Sequence, residues 1–263
     1  MLSEVQVAQY HRDGFIVPDY CLPMETVEAL RRDVAALVGD DPEMQQFVPT
    51  MFDYERKFVD YAKDPPLLDM IEQLTGPDFA LWNMSLFGKP ARDGKKVPWH
   101  QDGEYWPIRP MATTRIWIAL NETTRENGCL RYLRGSHKRR EIFQHHEAAD
   151  RSMLLHYGID PGEIDLANVF DLVLQPGQMA IHDIYIVHGS EANETEKARQ
   201  AIVLNYMPTT SHFDHALAAR QFAEMDINFD HTRRPIFQMR GVDKCGRNDF
   251  EVGHDKVGRR TAA

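Results

Sequence analysis

Cysteine is scarce in this chain: three residues, Cys21, Cys129 and Cys245, among 263. An odd, widely spaced set excludes a disulfide framework and points to reduced thiols. No apolar run approaches the roughly 20 residues of a membrane-spanning helix. Met1-Leu2-Ser3-Glu4 carries no basic stretch followed by an apolar block, so we expect no signal peptide and a cytoplasmic protein. Positive charge is also in short supply, with 30 Lys and Arg against 40 Asp and Glu and a formal net charge of −10. That balance disfavours a polyanionic partner such as nucleic acid. There is no internal repeat and no low-complexity tract. No nucleic-acid and no membrane partner is expected. Oligomeric state is not legible.

What is present changes texture along the chain. Residues 3–12 predict a helix capped by Ser3, and Gly14 to Val17 a short strand. Met24 to Val38 predicts a stronger helix, with Val27, Leu30, Val34, Leu37 and Val38 at helical spacing. Pro66 to Leu74 predicts a third, closed by Gly76-Pro77. After residue 78 the signal becomes that of short strands: Phe79 to Phe87, Thr113 to Leu120, Cys129 to Leu133, Val169 to Leu174, Met179 to Ile186 and Ala201 to Met207. Turns such as Asn127-Gly128 and Gln175-Pro176-Gly177 separate them. Many short strands without regular helices between them predict a mainly β protein, a jelly roll with the N-terminal helices packed outside. We expect one domain over 1–263: a helical part (1–78), a jelly-roll core (79–210) with a partly helical insertion at about 141–168, and a C-terminal extension (211–263). The polar tail from Gly246 is expected to be mobile or pinned by other contacts.

The chemistry-bearing residues are His100, Asp102 and His188. In extended backbone, residues i and i+2 point the same way, so His100 and Asp102 can face one metal while Gln101 points elsewhere. Two imidazoles and one carboxylate are the ligand set of a facial non-haem iron site, with open positions for small molecules. A His-x-Asp triplet alone is weak, and a second stands at His212-Phe213-Asp214. Context separates them. His100-Gln101-Asp102 reads as a loop between strands, with His188 at the end of another strand. His212-Phe213-Asp214 is followed only by His231 and His254 in polar sequence. Taken singly, His100 and Asp102 could be surface-loop and turn-capping residues, and His188 a strand-end residue. Their joint occurrence with Arg199 favours a metal. Strand alternation puts Arg199, Ala201, Val203 and Asn205 on one face. If that face lines the barrel, the arginine needs an anionic partner.

With these residues on the page, the chain resembles the phytanoyl-CoA dioxygenase-like family of Fe(II)/2-oxoglutarate oxygenases. The motifs that carry the resemblance begin with Asp13-Gly14-Phe15-Ile16-Val17 and Trp99-His100-Gln101-Asp102. They continue through Trp117-Ile118-Ala119-Leu120, Glu126-Asn127-Gly128-Cys129-Leu130 and Arg134-Gly135-Ser136-His137. Pro176-Gly177-Gln178, His188-Gly189-Ser190, Asn193 and Arg199 complete the set. The resemblance implies a double-stranded β-helix of cupin type, with His100, Asp102 and His188 as iron ligands. It implies Arg199 and Ser190 on the far carboxylate of 2-oxoglutarate, with Trp117 nearby, although Trp117 is equally readable as core. Fe(II), 2-oxoglutarate and dioxygen are then the expected cofactor and cosubstrates, and succinate and carbon dioxide the coproducts. Arg134 and Gln178 depart from residues common in the family, a proline and an aspartate; neither touches the triad. The intact Asp102 argues against halogenation, since related halogenases have a small residue there.

Substrate residues are less sharply marked. Asn83, Glu104, Tyr105, Trp106 and Arg131 are candidates, each also readable as packing, turn or surface. This polar and cationic set favours a small polar or anionic metabolite over a fatty acyl chain. Three classes follow: a hydroxylase, the same iron chemistry giving desaturation, epimerisation or cyclisation, and a non-catalytic metal-binding cupin-like protein. Arg199 argues against the last, because a metal store needs no carboxylate clamp.

Overall fold

The N-terminal helices form where local rules place them. In the computed structural model, which describes residues 1–148, 150–224 and 230–260 apart from the side chains of Glu104 and Tyr105, α1 spans Glu4–Asp13. Ser3 and Gln6 make a reciprocal capping box at its start, and Gly14 ends it at φ +87°, where a β-carbon would be strained. Helix α2 (Met24–Val38) buries Val27, Leu30, Val34, Leu37 and Val38 along one side. Helices α3 (Pro42–Gln46), α4 (Phe58–Tyr61) and α5 (Pro65–Thr75) follow, α3 and α5 opening on proline, whose fixed φ suits the first helical turn.

Among the described residues, fifteen strands and a further helix, α6 (His215–Glu224), complete the architecture. They are β1 (Phe15–Ile16), β2 (Phe47–Val48), β3 (Phe79–Lys89), β4 (Val97–His100), β5 (Ile108–Arg109), β6 (Thr114–Ala119), β7 (Leu130–Leu133), β8 (His146–Glu147), β9 (Tyr157–Gly158), β10 (Val169–Leu172), β11 (Met179–Asp183), β12 (His188–Ser190), β13 (Arg199–Pro208), β14 (His212–Phe213) and β15 (Phe237–Arg240). The major sheet runs β1-β11-β6-β13-β3-β15, with β2 also on the β3 edge; the minor sheet runs β10-β7-β12-β4. All pairings are antiparallel. This is the expected jelly roll with helices outside.

The period-2 rule assigns each strand two faces. The outer face of the major sheet offers Leu81, Met84, Leu86, Ile116, Ile118, Ile181, Ile202 and Leu204, which form one apolar core with α2 and α5. The inner face offers Trp117, Ala119, Ala180, Ala201 and Val203, packed with Leu130, Tyr132 and Leu172 of the minor sheet. Helix α3 approaches so closely that a β-carbon on Gly88 would lie 1.8 Å from the Gln45 carbonyl oxygen. Glycine there is what admits the helix to the sheet.

Two expectations need correction. Strand β4 includes His100, so the first metal candidate ends a strand rather than sitting in a loop. Among the described residues, 141–168 holds the β8–β9 hairpin and two 3₁₀ turns, Pro161–Glu163 and Leu166–Asn168, and no α-helix. Asp160 and Asp165 start those turns by accepting backbone N–H bonds, a local cap too short to read as helix. The C-terminal extension holds α6, capped where Leu217 N–H donates to the Asp214 side chain. The tail is pinned: the backbone N–H groups of Gly258, Arg259 and Arg260 donate to Phe52 and Asp53 carbonyls at 2.9–3.0 Å. No helix among the described residues is long and apolar enough to cross a membrane.

Candidate metal centre

Strands β4 and β12 are antiparallel neighbours in the minor sheet, and their register sets His100 directly opposite His188. Two histidines distant in sequence thus share one rung, ring centroids 4.2 Å apart. Gln101 continues in extended backbone, so Asp102 returns to the side of His100. The Gln101 side chain is held away, donating to the Glu141 and Tyr185 carbonyls and accepting from Phe143 N–H. Asp102 Oδ1 lies 3.7 Å from His100 Nε2, and Oδ2 lies 3.6 Å from His188 Nε2. One donor atom from each of the three falls within 4.8 Å of the others.

Both imidazoles are oriented by backbone. His100 Nδ1 donates to the Pro98 carbonyl at 2.9 Å and His188 Nδ1 to the Ile186 carbonyl at 3.1 Å. That bonding leaves each Nε2 as a bare lone pair directed at the carboxylate, the arrangement a metal-binding histidine needs. Burial, reinforced by His100 and Arg115, lowers the His188 pKa to about 3 despite the opposing Asp102 charge. Its ring is therefore neutral at physiological pH. Burial by itself would raise the Asp102 carboxyl, but Arg115 and the two histidines outweigh it and hold the group well below the usual carboxylate range. Two imidazoles and one anionic carboxylate are a donor set that fits a divalent first-row ion.

A cavity opens beside the triad, lined by Phe87, Lys89, Trp117, Ser190 and Arg199 together with His100 and His188. Arg199 is buried at the start of β13. Its Nη2 donates to the Gly128 carbonyl at 2.5 Å and its guanidinium lies 5.3 Å from the Trp117 ring, while its Nε has no partner. Gly128 reaches this carbonyl position at φ +75°, where a β-carbon would sit 2.4 Å from the Glu191 carbonyl oxygen. Burial brings the Arg199 pKa down to about 10, still charged at neutral pH. No described carboxylate pairs with it. Lys89, equally buried, donates to the Lys95 carbonyl. Burial and then Arg199 push its amine down to about 6.

The other sequence candidates are dispersed. Ser190 and Trp117 line the cavity. Asn83 lies on the inner face of β3, bonded to Ser85 and the Pro49 carbonyl. Trp106 packs edge-on against Trp82, centroids 4.6 Å apart, with the Arg115 guanidinium 5.3 Å from its ring. Arg131 does not reach the cavity: it points outward from β7 and pairs with Asp171 and Glu191. The side chains of Glu104 and Tyr105 lie outside the described residues. His212 pairs with Arg109 in the β14–β5 ladder, so that triplet is not a ligand set among the described residues.

Three cavity residues escaped sequence reasoning: Arg115, His182 and Lys89. Arg115 donates to Asp102 Oδ2. His182 Nδ1 lies 2.8 Å from Tyr132 Oη, and its Nε2 is buried without a partner. The available signal was alternation. Once Trp117 faces inward, Arg115 must as well; a strand continued past Phe87 also turns Lys89 inward.

Comparison with known proteins follows the same line. The family model described as phytanoyl-CoA dioxygenase matches residues 10–201. Peroxisomal phytanoyl-CoA dioxygenase of Homo sapiens is 26% identical over 232 residues, covering 78% of this chain and 68% of that protein. The Mus musculus protein of the same name is 30% identical over 186 residues, covering 67% of this chain but only 54% of that one. The chain thus spans between about half and two-thirds of these relatives. Among solved structures, the non-heme monooxygenase ThoJ in its apo form superposes with a TM-score of 0.70 at 24% identity, covering 90% of this chain and 84% of that chain. The α-ketoglutarate-dependent carbocyclase SnoK from nogalamycin biosynthesis gives 0.68 at 21%, covering 86% and 91%. At those identities the structures speak to fold alone.

The geometry of the triad makes a direct prediction. His188→Ala removes one of three donors while leaving the apolar core untouched. Calorimetric titration with Fe(II) under anaerobic conditions should detect binding to the wild type and none to the variant, with little change in melting temperature. Wild-type metal affinity in His188→Ala would take that residue out of the site.

Proposed function

The chain belongs to the phytanoyl-CoA dioxygenase family, and from that membership we propose that it is an Fe(II)- and 2-oxoglutarate-dependent oxygenase hydroxylating a C–H bond of a small polar or anionic metabolite. One observation carries the reading: Arg199, a buried guanidinium without a carboxylate partner, lines the same cavity as a His-Asp-His donor set. A metal store has no use for such a cation, whereas a 2-oxo diacid needs both features. His100, Asp102 and His188 would hold the iron. Arg199 and Ser190 would take the far carboxylate, with Trp117 flanking it. Lys89 adds an amine to that end. Bound iron and 2-oxoglutarate supply oxygen activation coupled to release of succinate and carbon dioxide.

The chain's own contribution is positioning and exclusion. Arg115 holds the Asp102 carboxylate in its ionised form and orients it toward both imidazoles. Backbone carbonyls hold both rings in one tautomer. Arg199 presents a planar fork suited to a carboxylate, which lysine cannot reproduce. Phe87, Trp117 and Leu130 wall the cavity with apolar surface, which lowers the local dielectric and strengthens every ionic contact inside. The three unpaired cysteines suit a reducing compartment, the cytoplasm in this reading, although the mammalian relatives are named as peroxisomal.

The same donor set would serve desaturation, epimerisation or cyclisation, and one solved structure of similar fold is named a carbocyclase. Product mass separates these outcomes once a succinate-release screen identifies a substrate. We expect a gain of one oxygen and no chlorine even in excess chloride, because Asp102 occupies the position a halide would need. Loss of two hydrogens would replace hydroxylation with desaturation or cyclisation; a chlorinated product would overturn the argument from Asp102.

Arg199→Ala should weaken 2-oxoglutarate binding by about two orders of magnitude or more, since breaking a buried pair costs roughly 3–5 kcal/mol. Fe(II) affinity should barely move, and Arg199→Lys should restore binding only in part. An unchanged dissociation constant for 2-oxoglutarate in Arg199→Ala would refute the assignment.

Lys89 yields a pH prediction. Burial first, then Arg199 and Lys96, bring its amine down to about 6 against the opposing Glu191 and Cys129. Near neutral pH the free protein therefore carries Lys89 largely uncharged. A bound dianion favours the charged form, so 2-oxoglutarate binding should take up a proton and weaken as pH rises above about 6. Calorimetry in buffers of different ionisation enthalpy measures that proton; zero uptake at pH 7.5 would remove Lys89 from the carboxylate's surroundings.

A further inference from the structure

The inner face of the major sheet carries a polar row that the metal and 2-oxoglutarate do not use up. Register aligns His182 with Arg115, Arg115 with Asn205, and Asn205 with Asn83, across β11, β6, β13 and β3. Residues paired in this way share a face. One end of the row is the metal centre, through the Arg115–Asp102 pair. The other end, Asn83, accepts a hydrogen bond at 3.3 Å from Nη1 of Arg234, which also donates to Thr50 Oγ1. Two strand spacings of roughly 4.8 Å separate the Arg115 and Asn83 backbones, about 10 Å in all. A metabolite-sized molecule spans that distance.

Arg234 is 4% exposed. Its Nη2 makes only longer contacts, 3.2 Å to His231 Nδ1 and 3.5 Å to the Asp230 carbonyl, and its Nε has no partner. No carboxylate among the described residues reaches ion-pair distance of it. Asn205, in the adjoining row position, has a buried Oδ1 that is likewise unpartnered. Arg234 and Thr50 also line a cleft of about 450 Å³, within the usual range for a small-molecule site. Five cationic side chains line that cleft against three acidic ones. One of the cations, Arg233, is engaged at 2.8 Å by Asp255.

A buried guanidinium without an ion-pair partner is costly, and the described residues include two: Arg199 at the cosubstrate end and, at the opposite end of the row, Arg234, whose charge Asp53 and Asp230 of the cleft offset only from beyond ion-pair distance. We propose that Arg234, with Asn83, Asn205 and Thr50, is the substrate-recognition site, and that it binds a carboxylate of the primary substrate. The oxidised carbon then lies toward the metal and the carboxylate toward the cleft. This assignment rests on the oxygenase reading of the cavity. It narrows the substrate class to small carboxylic acids, with the anionic group remote from the reacting C–H bond. Asn205 Oδ1 is an acceptor, so the same substrate would present a donor such as N–H or O–H beside its carboxylate.

The test uses the full chain loaded with Ni(II), a redox-inert ion, and saturating 2-oxoglutarate, so that Arg199 is already occupied. Benzoate and butyrate are titrated beside benzamide and butyramide, which match them in shape and lack the charge, and binding is read by NMR line broadening and calorimetry. We expect the acids to bind at least about tenfold more tightly than their amides. Arg234→Gln should reduce the preference to about twofold or less and Arg234→Lys should keep part of it, with 2-oxoglutarate affinity unchanged in both. Equal affinity for acid and amide in the wild type overturns the proposal, as does a preference that survives Arg234→Gln. If Arg234→Gln does not fold, the wild-type comparison and Arg234→Lys still decide, since full retention of the preference by lysine excludes a guanidinium-specific site. Failure of the wild type to bind 2-oxoglutarate would instead remove the underlying oxygenase reading. Binding of 2-oxoglutarate without carboxylate preference removes only the Arg234 site.

Discussion

The buried ion pair between Asp102 and Arg115 is the contact on which the centre depends. It joins the two sheets: Arg115 comes from β6 of the major sheet, Asp102 from the turn after β4 of the minor one. Without Arg115, a carboxylate at this depth would be driven toward its neutral form, and a neutral carboxyl is a poor metal ligand. With it, the carboxylate stays anionic and faces both imidazoles. The Arg115 guanidinium also lies against Trp106, so the aromatic cluster of Trp82, Trp106 and Phe213 braces the cation that braces the ligand. Breaking such a pair by removing one partner leaves an uncompensated charge in the interior, typically a loss of roughly 3–5 kcal/mol.

Charge is distributed along the barrel interior with a clear logic. Arg115 is neutralised internally by Asp102. Arg199 and Arg234 are held by carbonyls, hydroxyls and amides but by no described carboxylate. In a protein of net charge −10, acidic partners were abundant. Two buried guanidinium groups at opposite ends without an ion-pair partner among the described residues, with the Lys89 amine beside one of them, describe an interior arranged around anions that arrive from outside. The depressed Lys89 amine is the cost of that arrangement in the free protein: burial first, and then the neighbouring Arg199 charge, disfavour its protonated form.

Much of this was legible before any coordinates. Alternation in Ala201 to Met207 put Arg199, Ala201, Val203 and Asn205 on one face, and that face lines the interior. The i, i+2 relation of His100 and Asp102 holds, with Gln101 turned away into the 141–143 loop. Other features were not legible for identifiable reasons. Asp160 and Asp165 make 3₁₀ turns through single side-chain bonds, which carry no periodicity. Arg131 looked like a cavity cation because its outward partners, Asp171 on β10 and Glu191 just after β12, are distant from it in sequence. Arg234 was missed because its strand-free surroundings offer no alternation to read; only the return of the chain over Thr50 buries it.

The sequence by itself determined which residues could bind a metal, which face of the central strands would be apolar, and where the three longer N-terminal helices would run. These depend on residue chemistry and on periods of two and 3.6, both of which are local. Tertiary structure alone decided that His188 sits opposite His100, that Arg115 reaches Asp102, and that Arg234 closes on Asn83. Each of those pairings joins segments distant along the chain. Their register is set by how two sheets and the outer helices bury their apolar faces together, and no local pattern encodes it.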